Sequence, residues 1–137
     1  MNLDLTSLEK SISALNRSVT EGVPCASQLS PALQETIKSG VIQHFEVAYE
    51  QSLKMIKRWL EYNVGAQGVD GVPRRELFRL AVENHLIGDC ELWMNFHRAR
   101  NETSHTYSAD TAEEVYSVAL TFLPAAQSLL TALRARS

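Results

Sequence analysis

The sequence has few cysteines, the residues whose disulfide bonds stabilise many small proteins. Its 137 residues include two cysteines, Cys25 and Cys90, and no C-x-x-C pair, which excludes a disulfide framework and predicts a reducing, cytoplasmic compartment. No run alternates apolar and polar residues, no hairpin signal occurs and no internal repeat is present. These absences exclude a sheet protein and a repeat array, and they favour an all-α fold.

A large charge of either sign is also missing. The 13 Lys and Arg against 16 Asp and Glu give a net charge of −3, so the molecule as a whole does not attract nucleic acid. A phosphate ligand would therefore have to bind to a local group of arginine side chains. The segment Met1–Leu5 lacks the basic region of a signal peptide. The most apolar stretch, Val118–Leu133, is interrupted by Pro124 and polar residues, which predicts a buried helix and no membrane span.

What is present is enough for a single helical-bundle domain over residues 1–137, because 45% of the residues are apolar. Apolar residues spaced three and four apart predict a first helix over about 3–21, with a capping box of Thr6 and Glu9 at its start. The whole pattern predicts a four- to five-helix up-and-down bundle.

The middle of the chain predicts one short and one long helix. Ser30 and Pro31 are typical of a helix start, and a short segment is expected near 31–38, with a break or kink at Ser39 and Gly40. A long helix is then expected from Val41 to the glycine-rich loop at 65–71. Three more helices have their own start signals, which are Pro73, Asp89 and the capping box of Asp110 and Glu113.

A polar stretch of eight residues separates the last two of these helices. The side chains of this stretch offer a fixed cation, an amide, hydroxyls, an imidazole and a phenol. The residues are Arg100, Asn101, Glu102, Thr103, Ser104, His105, Thr106 and Tyr107. The guanidinium of an arginine suits phosphate oxygens, and an imidazole moves protons near neutral pH. Arg100 and His105 could therefore cut RNA without metal, His105 taking the proton of a ribose 2′-hydroxyl and Arg100 stabilising charge on the phosphate.

Geometry limits this hypothesis, because residues five apart on a helix point about 140° from each other. Either the helix ends near Asn101, or two protomers complete the site. Asn101 and His105, four apart, share a helix face, so Asn101 could orient the imidazole. The alternative is a polar helix end whose side chains satisfy terminal backbone groups.

Other chemistries fit the sequence poorly. Glu102 and His105 form one half of a di-iron motif whose second half is absent, and the other histidines lack metal-ligand spacing. The glycines at 65, 68 and 71 match no phosphate-binding loop. The sequence therefore predicts no metal and no cofactor.

The pattern Arg-Asn-x-x-x-His-x-Tyr at 100–107 resembles the HEPN superfamily. More narrowly, residues 40–62 and 73–117 are similar to nucleotidyltransferase substrate-binding proteins. This resemblance implies a HEPN-like bundle and a homodimer whose two motifs meet in one groove. It also implies a small nucleotidyltransferase, encoded by a neighbouring gene, as partner. In active members the Arg and His of the motif, here Arg100 and His105, cut RNA, and in toxin–antitoxin pairs AMP is attached to the Tyr, here Tyr107.

Two carboxylates on the second helix are further candidates. Glu46 and Glu50 lie one turn apart within a family-like pattern, in which Leu53 replaces the usual Trp. One of them would face Arg100 and His105, or both would lie on a solvated face. In the third helix His85 stands where the family often has Gly, so Asn84 or His85 must adopt the turn conformation.

Two classes of function remain open. The first is a toxin-like, metal-independent endoribonuclease held in check by its nucleotidyltransferase. The second is a non-catalytic subunit that binds the transferase and its nucleotide or substrate. The last helix carries more apolar surface than one side of a bundle needs, which independently predicts a homodimer.

Overall fold

Helices supply the regular secondary structure of the chain in this computed structural model, which describes residues 3–105 and 108–136. No strand occurs within these two ranges, so the all-α prediction is confirmed. The five longer helices are α1 (Thr6–Arg17), α2 (Pro31–Asn63), α3 (Arg74–Glu83), α4 (Cys90–Glu102) and α5 (Ala109–Arg136). The long helices α2 and α5 pack against each other, α1 and α4 pack on this pair, and α3 packs on α4 and α2.

The predicted break at Gly40 is wrong, because α2 continues through it from Pro31 to Asn63. A glycine inside a helix costs only about 1 kcal/mol relative to alanine. The neighbouring Val41 and Ile42 are buried, and their packing outweighs that cost. The short segment expected near 31–38 is thus the first part of α2, which Ser30 caps by accepting a hydrogen bond from the backbone N–H of Leu33 (3.3 Å).

The start of the chain also departs from expectation. The α-helical part of the first helix covers 6–17, and the chain continues as a π-helical turn over Ser18–Gly22. Thr6 is the first helical residue rather than the cap, and its backbone N–H donates to Asp4 Oδ1 (3.0 Å). The predicted capping box with Glu9 is therefore absent, since Asp4 supplies the acceptor.

Two other helix ends follow local chemistry. Asp89 caps α4 as predicted, its Oδ1 accepting a hydrogen bond from the backbone N–H of Leu92 (3.1 Å). His85 has φ 61°, so it is this residue and not Asn84 that takes the left-handed turn after α3. Asp110 was predicted to cap α5 in a capping box with Glu113. Because α5 begins at Ala109, Asp110 lies inside its first turn and not before it.

The core is built around a cluster of aromatic rings. Phe122 of α5 makes edge-to-face contacts with Phe45, Tyr49, Trp93 and Phe96, at centroid distances of 5.2, 6.1, 5.5 and 5.0 Å. These four rings come from α2 and α4, so one side chain of α5 joins three helices.

We expect Phe122→Leu to lower the free energy of unfolding by on the order of 2 kcal/mol, because it removes four aromatic contacts and leaves a void. Urea unfolding checks this. The control is Tyr62→Leu, since Tyr62 is 70% exposed, and it should change the free energy by less than about 0.5 kcal/mol. Equal effects of the two substitutions would contradict this view of the core.

Helix α5 is long and apolar enough to cross a membrane by length and composition alone. A core helix of a soluble protein passes the same test. The side chains that α5 buries in the bundle are Val115, Ala119, Phe122, Leu123, Ala126, Leu129, Leu130 and Leu133. This packing buries 39% of the apolar window of α5, and the absence of a membrane span stays a prediction.

The same packing weakens the sequence argument for a homodimer. In the described part of the chain, no large hydrophobic residue of α5 is exposed; those that are exposed lie elsewhere, namely Leu33, Val47, Tyr62, Val64 and Leu92. Three of the five are on α2. A homodimer therefore stays a prediction, and the large hydrophobic residues that are exposed lie mainly on α2.

Candidate functional site

Arg100 lies in the last turn of α4 and points toward α2. Its Nε donates a hydrogen bond to Glu50 Oε1 (2.7 Å), and its Nη1 is 3.8 Å from Glu46 Oε2. Glu46 and Glu50 are one turn apart on α2, so both carboxylates reach the same guanidinium. The side chain of Arg100 remains 30% exposed, which leaves part of the cation accessible from solvent.

Thr103, the residue after the end of α4, contacts both Arg100 and Glu46. Its hydroxyl lies 2.5 Å from Glu46 Oε2 and 2.8 Å from the backbone carbonyl of Arg100, and it accepts from Arg100 Nη1 at 3.4 Å. A hydroxyl has one proton, so it donates to one of these two oxygens at a time. Thr103 is a site residue that the sequence analysis did not single out, although its place three residues after Arg100 at a helix end was a usable signal.

The α-helix ends at Glu102 and gives way to a 3-10 turn over Thr103–His105. The helix thus ends close to Asn101, as the first of the two alternatives expects, and a site completed by two protomers stays a prediction. His105 lies on this turn and is exposed. Tyr107, the predicted site of AMP addition, lies outside the described residues.

A second polar group runs beside the first. The hydroxyl of Tyr49, a residue that is 1% exposed, lies 2.9 Å from His97 Nδ1. His97 Nε2 in turn lies 3.4 Å from Asn101 Nδ2. The amide that the sequence analysis assigned to orienting His105 thus contacts His97, a histidine that sequence reasoning passed over because nothing local marks it.

The surroundings of His97 keep its imidazole neutral. Burial lowers the pKa of His97 below 6.5, and the positive charges of Arg74 and Arg100 lower it further, while Glu50 opposes them. Burial also raises the pKa of the Tyr49 phenol. A neutral imidazole has one donor and one acceptor nitrogen. If Asn101 donates to Nε2, then Nδ1–H donates to Tyr49, which fixes the tautomer.

This shift predicts a pH dependence of stability. Above pH 6.5 the imidazole is neutral in both states and contributes no difference; as the pH falls below 6.5, the unfolded chain binds the proton first. The free energy of unfolding should therefore decrease from about pH 6.5 down to the lowered pKa of His97 and then level off.

Urea unfolding between about pH 5 and 7.5 tests this dependence. We expect His97→Gln to flatten the decline relative to wild type. His85→Asn removes an exposed imidazole at a left-handed position that asparagine tolerates, and it should leave the decline unchanged. A decline of the same steepness in His97→Gln and wild type would show that His97 is not its source.

An open groove of about 440 Å³ adjoins the Arg100 group, and Glu46 and Thr103 line its near end. It runs between α2 and the first turn of α5, with Lys38 on its far side. Lys38 is ion-paired with Glu113, and its ammonium lies 5.4 Å from the ring centre of Tyr116. The groove mixes charged, polar and apolar side chains, as a site for a small polar ligand does.

Metal ligands are not grouped in the part of the chain that the structure describes. No three His, Cys, Asp or Glu side chains lie together in a way that would hold a metal ion there. The groups that are brought together are instead a cation with two carboxylates and a Tyr–His–Asn chain.

The fold and this polar helix end define the class of protein, a HEPN-type helical bundle with an Arg-x4-His motif at the end of α4. Within that class the chain belongs to the family described as nucleotidyltransferase substrate binding protein like, whose sequence model matches residues 3–135. The resemblance seen in the sequence is thereby confirmed.

One sequence relative and two solved structures show how close the likeness is. A Haemophilus influenzae protein named probable ribonuclease HepT is 38% identical over 106 residues, which cover 77% of this chain and 73% of that protein. A solved Haemophilus influenzae structure, described as the fold of a substrate binding domain of a nucleotidyltransferase, has a TM-score of 0.88 and 32% identity, covering 96% of this chain and 99% of that one. A Thermus thermophilus structure has a TM-score of 0.71 at 24% identity, covers 93% of this chain and 98% of that one, and supports the fold alone.

Proposed function

We propose that this chain is the toxin-like RNase partner of a small cytoplasmic nucleotidyltransferase and that it cuts RNA through Arg100 and His105 without metal. One observation carries the proposal. The partly accessible guanidinium of Arg100 is held at the end of α4, and the exposed imidazole of His105 lies on the 3-10 turn that follows this helix. The name of the Haemophilus influenzae relative, probable ribonuclease, supports the same activity.

The proposed reaction needs only these two side chains and the RNA. His105 takes the proton of a ribose 2′-hydroxyl, and that oxygen attacks the adjacent phosphorus. The bond from phosphorus to the 5′-oxygen breaks, this oxygen leaves as a 5′-hydroxyl after taking a proton from water, and His105 returns its proton to the solvent. The other product ends in a 2′,3′-cyclic phosphate. Arg100 stabilises the negative charge that gathers on the phosphate oxygens during attack.

Glu46 and Glu50 are proposed to position Arg100 for this role. They hold the guanidinium in one place. Because two carboxylates face one guanidinium, a phosphate must compete with them for Arg100. Ion pairs this exposed contribute at most about 1 kcal/mol each. A phosphate that binds the guanidinium in bidentate fashion can therefore displace them. In the proposed homodimer, a second Arg100 in the same groove would add to the positive charge.

Control of the activity is proposed to lie with Tyr107. Tyr107 follows His105 by two residues, and Arg100 is the nearest cation in the sequence that a new phosphodiester could contact. An AMP group there would occupy the place of the RNA phosphate and silence the enzyme.

A second candidate function is a non-catalytic subunit that binds a nucleotide or substrate for the transferase. The groove of about 440 Å³ beside Glu46 and Thr103 favours it, because its size and mixed lining suit a small polar molecule. The pairing of Arg100 with two carboxylates also favours it, since a nuclease needs that charge for the phosphate.

Incubation of purified protein with a mixed-sequence RNA pool, in the presence of EDTA, separates these functions. The RNase proposal expects cutting of RNA and none of DNA of the same length. The binding-subunit alternative expects intact RNA, together with heat released on titration with ATP.

A further inference from the structure

The groove beside the Arg100 group has a cation near each end. Glu46, which contacts Arg100 and Thr103, lines its near end, and Lys38 lines its far end. Eight residues of α2 separate Lys38 from Glu46, which is about 12 Å along the helix. Lys38 is ion-paired with Glu113 of α5, and 42% of the Lys38 side chain remains exposed. Exposed ion pairs are weak, so a phosphate can displace the carboxylates from either cation.

Between its two ends the groove is partly apolar and partly polar. Ile42 of α2 and the methyl groups of Ala109 and Ala112 of α5 line it, and Gln43 adds an amide. Gln43 is exposed, and its amide makes no hydrogen bond with any residue in 3–105 or 108–136. An amide has two donors and an acceptor, which are the groups needed to hydrogen-bond with the edge of a nucleobase.

This order of groups matches the order of groups along an RNA strand. A nucleoside has apolar faces and polar edges, and the strand carries one negative phosphate on each side of it. The groove volume of about 440 Å³ lies in the range of sites for small ligands. A nucleoside 5′-triphosphate carries all of its phosphates on one side of the sugar. Two cations at opposite ends of the groove therefore favour a strand over a free nucleotide.

We propose that the groove binds the nucleotide of the RNA strand that adjoins the phosphate held at Arg100. Ile42 and Ala112 pack against this nucleotide, and Gln43 hydrogen-bonds with the edge of its base. Lys38 leaves Glu113 and binds the next phosphate along the strand. This inference rests on the proposed function, because it assumes that Arg100 meets a phosphate of RNA. It adds that the base in the groove determines where the strand is cut.

Binding of strands that cannot be cut tests the contact with the base. The probes are single-stranded 2′-O-methyl homopolymers of A, C, G and U of equal length, whose affinities are measured by fluorescence anisotropy at several salt concentrations. The tightest and weakest wild-type affinities should differ by about fivefold or more, the low end of what one base-specific contact contributes. Gln43→Ala should remove most of this difference and leave the salt dependence unchanged, because it removes an uncharged contact.

The ion pair at the far end of the groove gives two expectations of opposite sign. Lys38→Met keeps the apolar stem and loses the charge, so the slope of log affinity against log salt should fall by about 0.7, the share of one phosphate contact on a single strand. The preference among the four bases should remain. Glu113→Gln removes the carboxylate that competes for Lys38, and it should tighten binding of all four strands.

Two matched variants serve as controls. Lys10→Met removes an exposed lysine of α1, away from the groove, and Gln127→Ala removes an exposed amide about 22 Å along α5 from Ala112. Both should bind all four strands as the wild type does. The variants of Lys38, Gln43 and Glu113 should keep thermal midpoints close to that of the wild type, since their side chains are exposed or weakly paired. A wild-type salt slope in Lys38→Met, or wild-type base preference in Gln43→Ala, would overturn the inference.

Two further measurements separate this inference from the proposed function. If the wild type cuts RNA while Lys38→Met and Gln43→Ala bind strands as it does, the inference fails alone. If RNA stays intact and Arg100→Ala also binds strands as the wild type does, the proposed function fails with it. Variants that weaken binding of ATP and leave binding of the strands unchanged would assign the groove to a free nucleotide and overturn the inference.

Discussion

His105→Ala is expected to lower the rate of RNA cutting about 10²–10⁴-fold, which places it below detection in most assays. The reason is the loss of the group that takes the 2′-hydroxyl proton. His105 lies exposed on a 3-10 turn outside the core, so its removal should leave the thermal midpoint close to that of the wild type. Arg100→Ala should lower the rate by a similar amount, because the phosphate charge loses its stabilising cation.

Two control variants make this result specific. His85→Asn removes an imidazole that precedes α4, and Arg136→Ala removes an exposed arginine at the far end of α5, about 40 Å of helix away from Ala109. Both should cut RNA at the wild-type rate. Full activity of His105→Ala would show that another group is the base, and loss of wild-type activity in EDTA would show that a metal takes part.

Tyr107→Phe is expected to abolish AMP addition by the partner nucleotidyltransferase, because the phenol oxygen is the proposed acceptor. After incubation with the transferase and ATP, mass spectrometry should find AMP on the wild type and none on the variant. RNA cutting should then be silenced in the wild type and persist in the variant, since the phenyl ring remains and only the hydroxyl is lost.

Tyr62→Phe serves as the control, since Tyr62 is 70% exposed and offers an accessible phenol on α2. It should accept AMP as fully as the wild type does. A wild-type protein that stays unmodified would remove the regulatory part of the proposal and favour the nucleotide-binding subunit. AMP on Tyr107→Phe would place the acceptor elsewhere in the chain.

Signals confined to a few neighbouring residues predicted much of the fold. Ser30 with Pro31, and Asp89, mark the starts of α2 and α4 correctly, because each cap bond is made within one turn. The apolar run Val118–Leu133 predicted a buried helix, and α5 does bury Phe122 and seven other apolar side chains. Gly40 misled the prediction, since its local preference is overruled by the burial of Val41 and Ile42, which depends on contacts with other helices.

The candidate site was predicted in composition and only partly in arrangement. Arg100 and His105 come from one short stretch, so sequence alone could nominate them. Their partners come from a distance: Glu50 lies 50 positions before Arg100, and Tyr49 lies 48 before His97. Such pairs depend on how α2 crosses α4, which no local pattern encodes. Glu46 and Glu50 were nominated by their family-like pattern, and their shared contact with Arg100 required the structure.

The chemistry of the cut ends tests the central claim most directly. RNA is incubated with purified wild-type protein in EDTA, and the ends of the fragments are identified by mass spectrometry. Attack by the 2′-hydroxyl, with His105 as base and Arg100 on the phosphate, predicts a 2′,3′-cyclic phosphate on one fragment and a 5′-hydroxyl on the other. Intact RNA, or fragments that end in a 3′-hydroxyl and a 5′-phosphate, would contradict it.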